Sequence, residues 1–275
     1  MKRPFILVII LFTLIPANIF GCIKAKKNRT ADDNSAIGNM PVKKRIRVKG
    51  VHFNMIKVEG GTFTMGCTSE QGSDCFDSEK PAHEVKLSTF YIGETEVTQT
   101  LWKAVMGSNP SSVKKKGDYP VEKVSWDDCQ DFIYKLNQLT GMTFRLPTEA
   151  EWEFAARGGN KSKGYKYSGG DTVDDVAWYR SNAGRSTHPV ATKMPNELGL
   201  YDMSGNVWEW CQDWHDSYPS ASQQTNPKGA SNGVARILRG GSWYGQQGYC
   251  RVSDRFFNPQ GFRVDTNGFR LVLVP

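Results

Sequence analysis

Residues 144–159 read FRLPTEAEWEFAARGG, and the reading of this run decides the fold. Locally it is a helix start. Thr148, followed three residues later by Glu151, is the capping-box pattern, in which each side chain satisfies a backbone N–H of the first turn, and Gly158 predicts the helix end. Just upstream, SWDDCQDFIYKLNQLTG predicts a longer helix. Ser125 caps it, Asp128 sits near the capping-box position, Gly141 ends it, and Trp126, Cys129, Phe132, Ile133, Leu136 and Leu139 share one face. Further out, Thr98 caps a short helix through TLWKAVMG. VEGGTFTMG predicts strands around a Gly-Gly turn, and HEVKLSTFYIGETEV predicts a strand pair with alternating apolar residues. Short strands are expected in NVWEWCQDW, ARILRGGSW and GFRLVLV, separated by turn-rich segments with no internal repeat. The class is α+β and loop-rich.

The beginning of the chain is a different kind of sequence. Lys2 and Arg3 precede the apolar run FILVIILFTLI, which has signal-peptide length and is short for a membrane span. IFGC follows and resembles a bacterial lipobox, with Cys22 as the residue to be lipidated; ordinary secretion without lipidation is the alternative. Residues 1–22 are therefore expected to be a leader, residues 23–50 a basic tether and residues 51–275 one exported domain. Export makes disulfides admissible. Of the 35 Lys and Arg, eleven lie at or before residue 49, against two Asp there, so the rest of the chain carries a net charge of −2 out of a total of +7. That distribution argues against a nucleic-acid interface and for attraction of the N-terminal basic residues to anionic headgroups.

Four runs occur in order: FRLPTEAEWEFAARGG, THPVATKMPNELGLYDMSGNVWEWCQDW, RILRGGSW and NGFRLV. Over about residues 54–274 the chain resembles the formylglycine-generating enzyme, or sulfatase-modifying-factor, family. The resemblance implies a variant of the C-type lectin fold, with a small mixed core under long ordered loops. Family members include copper-dependent oxidases of a sulfatase cysteine, domains of iron-dependent sulfoxide synthases, lipoproteins of envelope machines, and proteins whose binding loops are varied by retroelements. Fold alone does not choose among these.

The oxidase reading implies two copper-holding cysteines after the RGGS motif. They map onto Gly245 and Cys250, with Ser242 and Trp208 also at site positions. Only Cys250 carries sulfur, and one thiolate does not make a soft linear Cu(I) site. The iron branch needs clustered histidines, whereas His52, His83, His188 and His215 are widely spaced, and His83 and His188 are expected to be hydrogen-bonded structural residues. Cys67 and Cys75 bracket the polar turn CTSEQGSDC and are expected to staple it. Cys129 is expected to be a buried, inert thiol. A Cys211–Cys250 disulfide is expected because each follows a motif of the family core; two separate buried thiols are the alternative. The family's calcium loop maps onto Asp202, Gly205, Val207 and Glu209, a mixed carboxylate and carbonyl set suited to Ca²⁺. The alternative there is a tight turn capped by Asp202, with Glu209 on a strand face.

Between RGGSW and GFRLV a fixed frame alternates with free positions. The expected ligand-contacting residues are Tyr244, Gln246, Gln247, Tyr249, Asp254, Phe256, Phe257 and Phe262, with Arg239, Trp243 and Arg270 in the frame. Loop aromatics give large contact area at low entropy cost. Apart from Gln246, Gln247 and Gln260, the free positions hold residues reachable from an Asn AAC codon by changing its adenines. Retroelement diversification leaves that pattern, and so does drift. The expectation is thus an exported, lipid-anchored binding module with Ca²⁺, taking a protein or other surface ligand. An active oxidase with altered copper ligation and a structural component of an envelope machine are the competing readings.

Overall fold

The computed structural model describes residues 42–114, 118–218 and 223–275. The leader, Cys22 and most of the expected tether lie outside the described residues. Where description begins, the expected tether boundary needs correction. Lys43–Val48 forms strand β1, paired antiparallel with β2 (Val51–Val58) through Lys49 and Gly50, which have φ of 45° and 84°. Positive φ at both positions matches the twist of a two-residue hairpin turn. Ile46 and Val48 are buried while Lys44, Arg45 and Arg47 are exposed. KKRIRVK therefore alternates with the period of a half-buried strand, a pattern that its high charge masks in the sequence.

The first sheet continues in the order β1, β2, β5 (Phe90–Gly93), β12 (Val272–Leu273), β6 (Phe144–Arg145), all antiparallel. A second runs β10 (Arg255–Asn258), β9 (Arg236–Arg239), β7 (Trp208–Trp214), β11 (Asn267–Gly268), with only the last pair parallel. A third contains β3 (Gly61–Met65), β4 (His83–Leu87) and β8 (Gln224–Thr225). HEVKLSTFYIGETEV thus supplies two strands that do not pair with each other. β4 joins β3 and β8, whereas β5 lies between β2 and β12.

The helix starts follow their caps. Thr98 accepts the Leu101 N–H ahead of α1 (Gln99–Met106). Ser125 and Asp128 complete a capping box for α2 (Trp126–Thr140), which ends on left-handed Gly141. Cys129, Phe132, Ile133 and Leu136 of α2 are buried. Trp126 is only partly so, and Leu139 is 45% exposed, because it lies at the frayed end of the apolar stripe. Thr148 and Glu151 complete the box of α3 (Glu149–Ala156), and every residue of α3 is buried.

A helix buried on all sides and carrying three glutamates needs partners for them. Arg145 grips Glu151 with two hydrogen bonds of 2.6 and 2.7 Å. Glu153 accepts from Arg157 Nε at 2.8 Å and is also paired with Arg239. Glu149 takes Arg255 bidentately at 2.6 and 2.8 Å. Burial pushes Glu149 up, but the Arg255 and Arg239 charges outweigh it and leave the carboxyl below its usual range. The Glu149 N–H, at the start of α3, is capped by Asp213 Oδ2 of β7 at 2.9 Å. Burial, then the Glu149 charge, pushes Asp213 up to about 7.

The unfolded Asp213 carboxyl releases its proton near pH 4, whereas the folded one keeps it to about 7. Its contribution to stability is complete below pH 4 and is lost as pH rises through about 7, by an amount on the order of 4 kcal/mol. Asp213→Asn retains an acceptor for Glu149 and removes this loss. Urea unfolding should show the variant gaining on the wild type between pH 4 and pH 8; an unchanged difference between the two proteins would place the carboxyl in a solvated setting.

Candidate functional site

The C-terminal segment shows both faces of one construction. Four of its arginines turn inward: Arg239, Arg251, Arg255 and Arg270 are all buried. Arg251 holds Glu79 through two hydrogen bonds of 2.6 Å, and Arg270 holds Glu209 the same way. Trp243 is 9% exposed and donates from its indole to the Asp265 carbonyl. Arg239, Trp243 and Arg270 therefore stand in the frame.

Outward from that frame runs a continuous row of rings. Phe76 stacks on Tyr249 with centroids 6.0 Å apart, and Tyr249 lies 6.3 Å from Trp208. Trp208 stacks on Phe256 at 5.2 Å, Phe256 lies 6.0 Å from Phe257, and Phe257 lies 3.9 Å from His215. The exposures of Phe76, Tyr249, Phe256 and Phe257 run from 39% to 48%. At one end, Arg236 is held between Trp214 and Trp126, its guanidinium 3.4 and 3.8 Å from the two ring centroids.

The expected ligand positions are divided by this geometry. Tyr249, Phe256 and Phe257 come together in the ring row. Tyr244 is exposed but packs edge-on against Trp243 and under Arg180, and Phe262 is exposed in a separate turn. Gln246 and Gln247 are exposed beside Tyr249. Asp254 must be corrected: it is 1% exposed, its carboxylate lies 3.8 Å from Arg251, and its backbone carbonyl accepts from Arg239. Burial and the Glu79 charge push its carboxyl well up. Phe76, Trp208 and His215 join the row although the expected ligand set lacked them. Phe76 follows the Cys67–Cys75 staple, and Arg251 reaches over to that loop, donating to the Asp74 carbonyl at 3.3 Å. No sequence signal carries that long-range contact. A cavity of about 510 Å³, lined by residues including Met65, His83, Asp213 and Tyr218, contains none of the expected ligand-contacting residues.

The cysteines are settled unevenly. Cys67 and Cys75 are disulfide-bonded. The expected Cys211–Cys250 bond is absent: both are free, buried thiols lying in different core clusters. Cys250 packs with Tyr167, Tyr179 and Val173 and Val176 of α4 (Val173–Val176), and its cluster holds no second cysteine. Burial, with the Asp254 charge added, pushes the Cys250 thiol far above its usual range, the reverse of what a thiolate ligand needs. Cys129 is likewise a buried free thiol. Ser242 is 1% exposed. His83 Nδ1 sits 3.2 Å from the Pro81 carbonyl, and His188 Nε2 sits 2.8 Å from that of Ala183.

Both carboxylates of the expected calcium set are engaged by donors of the protein itself. Both Glu209 oxygens are taken, by Arg270 and by the Trp152 indole at 2.7 Å. Asp202 adopts left-handed φ of 56° and accepts the Ala191 N–H of a separate segment at 2.7 Å. Its other oxygen and both oxygens of Glu96 are buried without hydrogen-bond partners. Burial, then the Asp202 charge, pushes Glu96 well up, and burial pushes Asp202 up as well. Glu209 does not fit a calcium shell here. Titrating Ca²⁺ into chelator-treated protein should leave the melting temperature unchanged, and a saturable rise abolished by Asp202→Ala would restore the calcium loop.

Comparisons with known proteins agree with this architecture. A family profile described as the sulfatase-modifying factor enzyme 1-like domain matches residues 44–274. The chain is 34% identical to a protein named chaperone protein LppX from Paenibacillus barcinonensis, over 81% of this chain and 90% of that one. It is 31% identical to the formylglycine-generating enzyme of Streptomyces coelicolor, over 78% and 87%. Among solved structures, Treponema denticola variable protein 1 superposes with a TM-score of 0.78 at 35% identity, covering 86% of this chain and all of that one. PvdO from Pseudomonas aeruginosa follows at 0.68 and 26%, over 81% and 94%.

Proposed function

The chain belongs to the sulfatase-modifying-factor family, and we propose that within it the protein is an exported, lipid-anchored binding module that holds a polypeptide partner against its ring row. The observation that carries this reading is the division of residues 236–270 into a buried arginine frame and exposed rings, which continue through Phe76, Trp208 and His215 as one aromatic row. Rings on a rigid support lose little entropy on contact and are the usual energetic anchors of protein interfaces. An apolar segment of a polypeptide matches them in chemistry. The relative named a chaperone is consistent with such a client. Export and anchoring rest on the leader and on Cys22 in IFGC. In the oxidase reading, Cys250 would have to act alone, from a buried neutral state. The low cost of changing exposed side chains also lets such a surface vary, as retroelement diversification of the 242–267 region requires.

The test uses labelled, reduced and carboxymethylated α-lactalbumin as an unfolded probe, read by fluorescence anisotropy. The wild type should bind it. Phe76→Ser, Tyr249→Ser and Phe257→Ser together should weaken binding at least about tenfold while changing stability by no more than about 1 kcal/mol. Arg239→Ala should instead destabilise by roughly 3–5 kcal/mol, because it breaks a buried ion pair, leaving Glu153 to Arg157 alone and the carbonyls of Val252, Ser253 and Asp254 without their donor. Absence of wild-type binding, or equal binding by the serine variant, would reject the reading. Formylglycine formed on a CxPxR peptide with Cu(I) and oxygen, and lost on Cys250→Ser, would establish the oxidase in its place.

A further inference from the structure

The seven residues Lys43–Lys49 carry five basic side chains and no acid. Because they form β1 and its turn, these charges have fixed positions. Lys43 is taken up by Glu94, at 2.5 Å. Lys44, Arg45, Arg47 and Lys49 are exposed and make no ion pair among the described residues. In the strand register Arg47 stands opposite His52, also exposed. β1 is the outer strand of its sheet. A lysine or two is enough to protect such an edge from pairing with another chain; four unpaired cations in one hairpin exceed that need.

We infer that this hairpin is a docking surface for anionic phospholipid headgroups, which sets how the domain lies on the membrane that anchors it. Three observations favour that occupant. The chain after residue 49 carries a net charge of −2, so attraction to an anionic surface is confined to the N-terminal end of the molecule. β1 is also the first described element after Cys22, with twenty residues between Cys22 and Lys43. That length cannot carry β1 more than about 70 Å from the lipid. Finally, electrostatic attraction decays within about 8 Å at physiological salt, so a charged strip is effective only on the part of the domain brought up to the headgroups. The inference rests on the anchored reading for its biological setting, but the surface itself is testable without the anchor.

The experiment uses residues 41–275, which form one compact unit. Every described strand and helix, from β1 to β12, lies inside that unit. Sedimentation with phosphatidylglycerol-containing vesicles at low salt should bring the unit down, and pure phosphatidylcholine vesicles should not. Raising the salt to about 0.5 M should release it. Lys44→Gln, Arg45→Gln, Arg47→Gln and Lys49→Gln together should lower partitioning at least about tenfold. An equal neutralisation elsewhere, Lys103→Gln, Lys161→Gln, Lys163→Gln and Arg185→Gln, should leave it nearly unchanged. The pair Arg45→Gln and Arg47→Gln gives a milder variant, expected to fall between, should the fourfold one lose its cooperative melting transition. Absence of partitioning, or equal losses from the two neutralised sets, would overturn the inference. Failure of the anchored reading is read separately, as the absence of acyl mass on Cys22 of the native protein.

Discussion

Pairing of buried arginines with buried glutamates is the constraint on which the rest of this molecule depends. Removing a carboxylate from water costs several kcal/mol unless a cation and hydrogen bonds replace the solvent. Here the carboxylates come from early elements and the cations from the last forty residues. Glu79 meets Arg251, Glu149 meets Arg255, Glu153 meets Arg239, and Glu209 meets Arg270. Each pair joins residues more than sixty positions apart. The C-terminal segment is irregular in conformation, but its position is fixed at four points.

That fixation accounts for the contrast within β10. Arg255 enters the core to reach Glu149, while Phe256 and Phe257 stay outside and continue the ring row from Trp208. It also accounts for Phe76. Arg251 binds Glu79 and the Asp74 carbonyl, drawing the disulfide-closed loop onto Tyr249. Residues of the ring row from two distant segments are thus held by buried charge, and their exposed rings contribute little to that support. Such a division lets a surface change its side chains without changing its fold.

What the sequence made legible follows the range of each interaction. Thr148 with Glu151 and Ser125 with Asp128 act within one turn, and both boxes form where their spacing predicts. The order of the long motifs carries the fold, because the family profile spans residues 44–274. Asp254 was not legible. A charged residue beside exposed aromatics reads as surface, and only the proximity of Arg251 and Arg239 from other turns makes its burial tolerable. β1 reads as tether because four cations outweigh Ile46 and Val48 in composition, although the alternation is present. Cys211 and Cys250 each follow a core motif, but they belong to separate clusters, a distinction that local sequence does not carry.

Native-state hydrogen exchange on the amides from Gln247 to Asn258 tests the central claim, that buried charge holds an irregular segment rigid beneath an aromatic surface. The segment contains a single turn of 3-10 helix and one four-residue strand, so its regular structure alone gives little protection. If the arginine frame fixes it, the amides of Arg251, Val252 and Asp254 should exchange only through global unfolding, with the same free energy as amides in α3. Exchange through local opening, several kcal/mol below the global value, would show that the segment is a mobile loop and that the ring row is not a preformed surface.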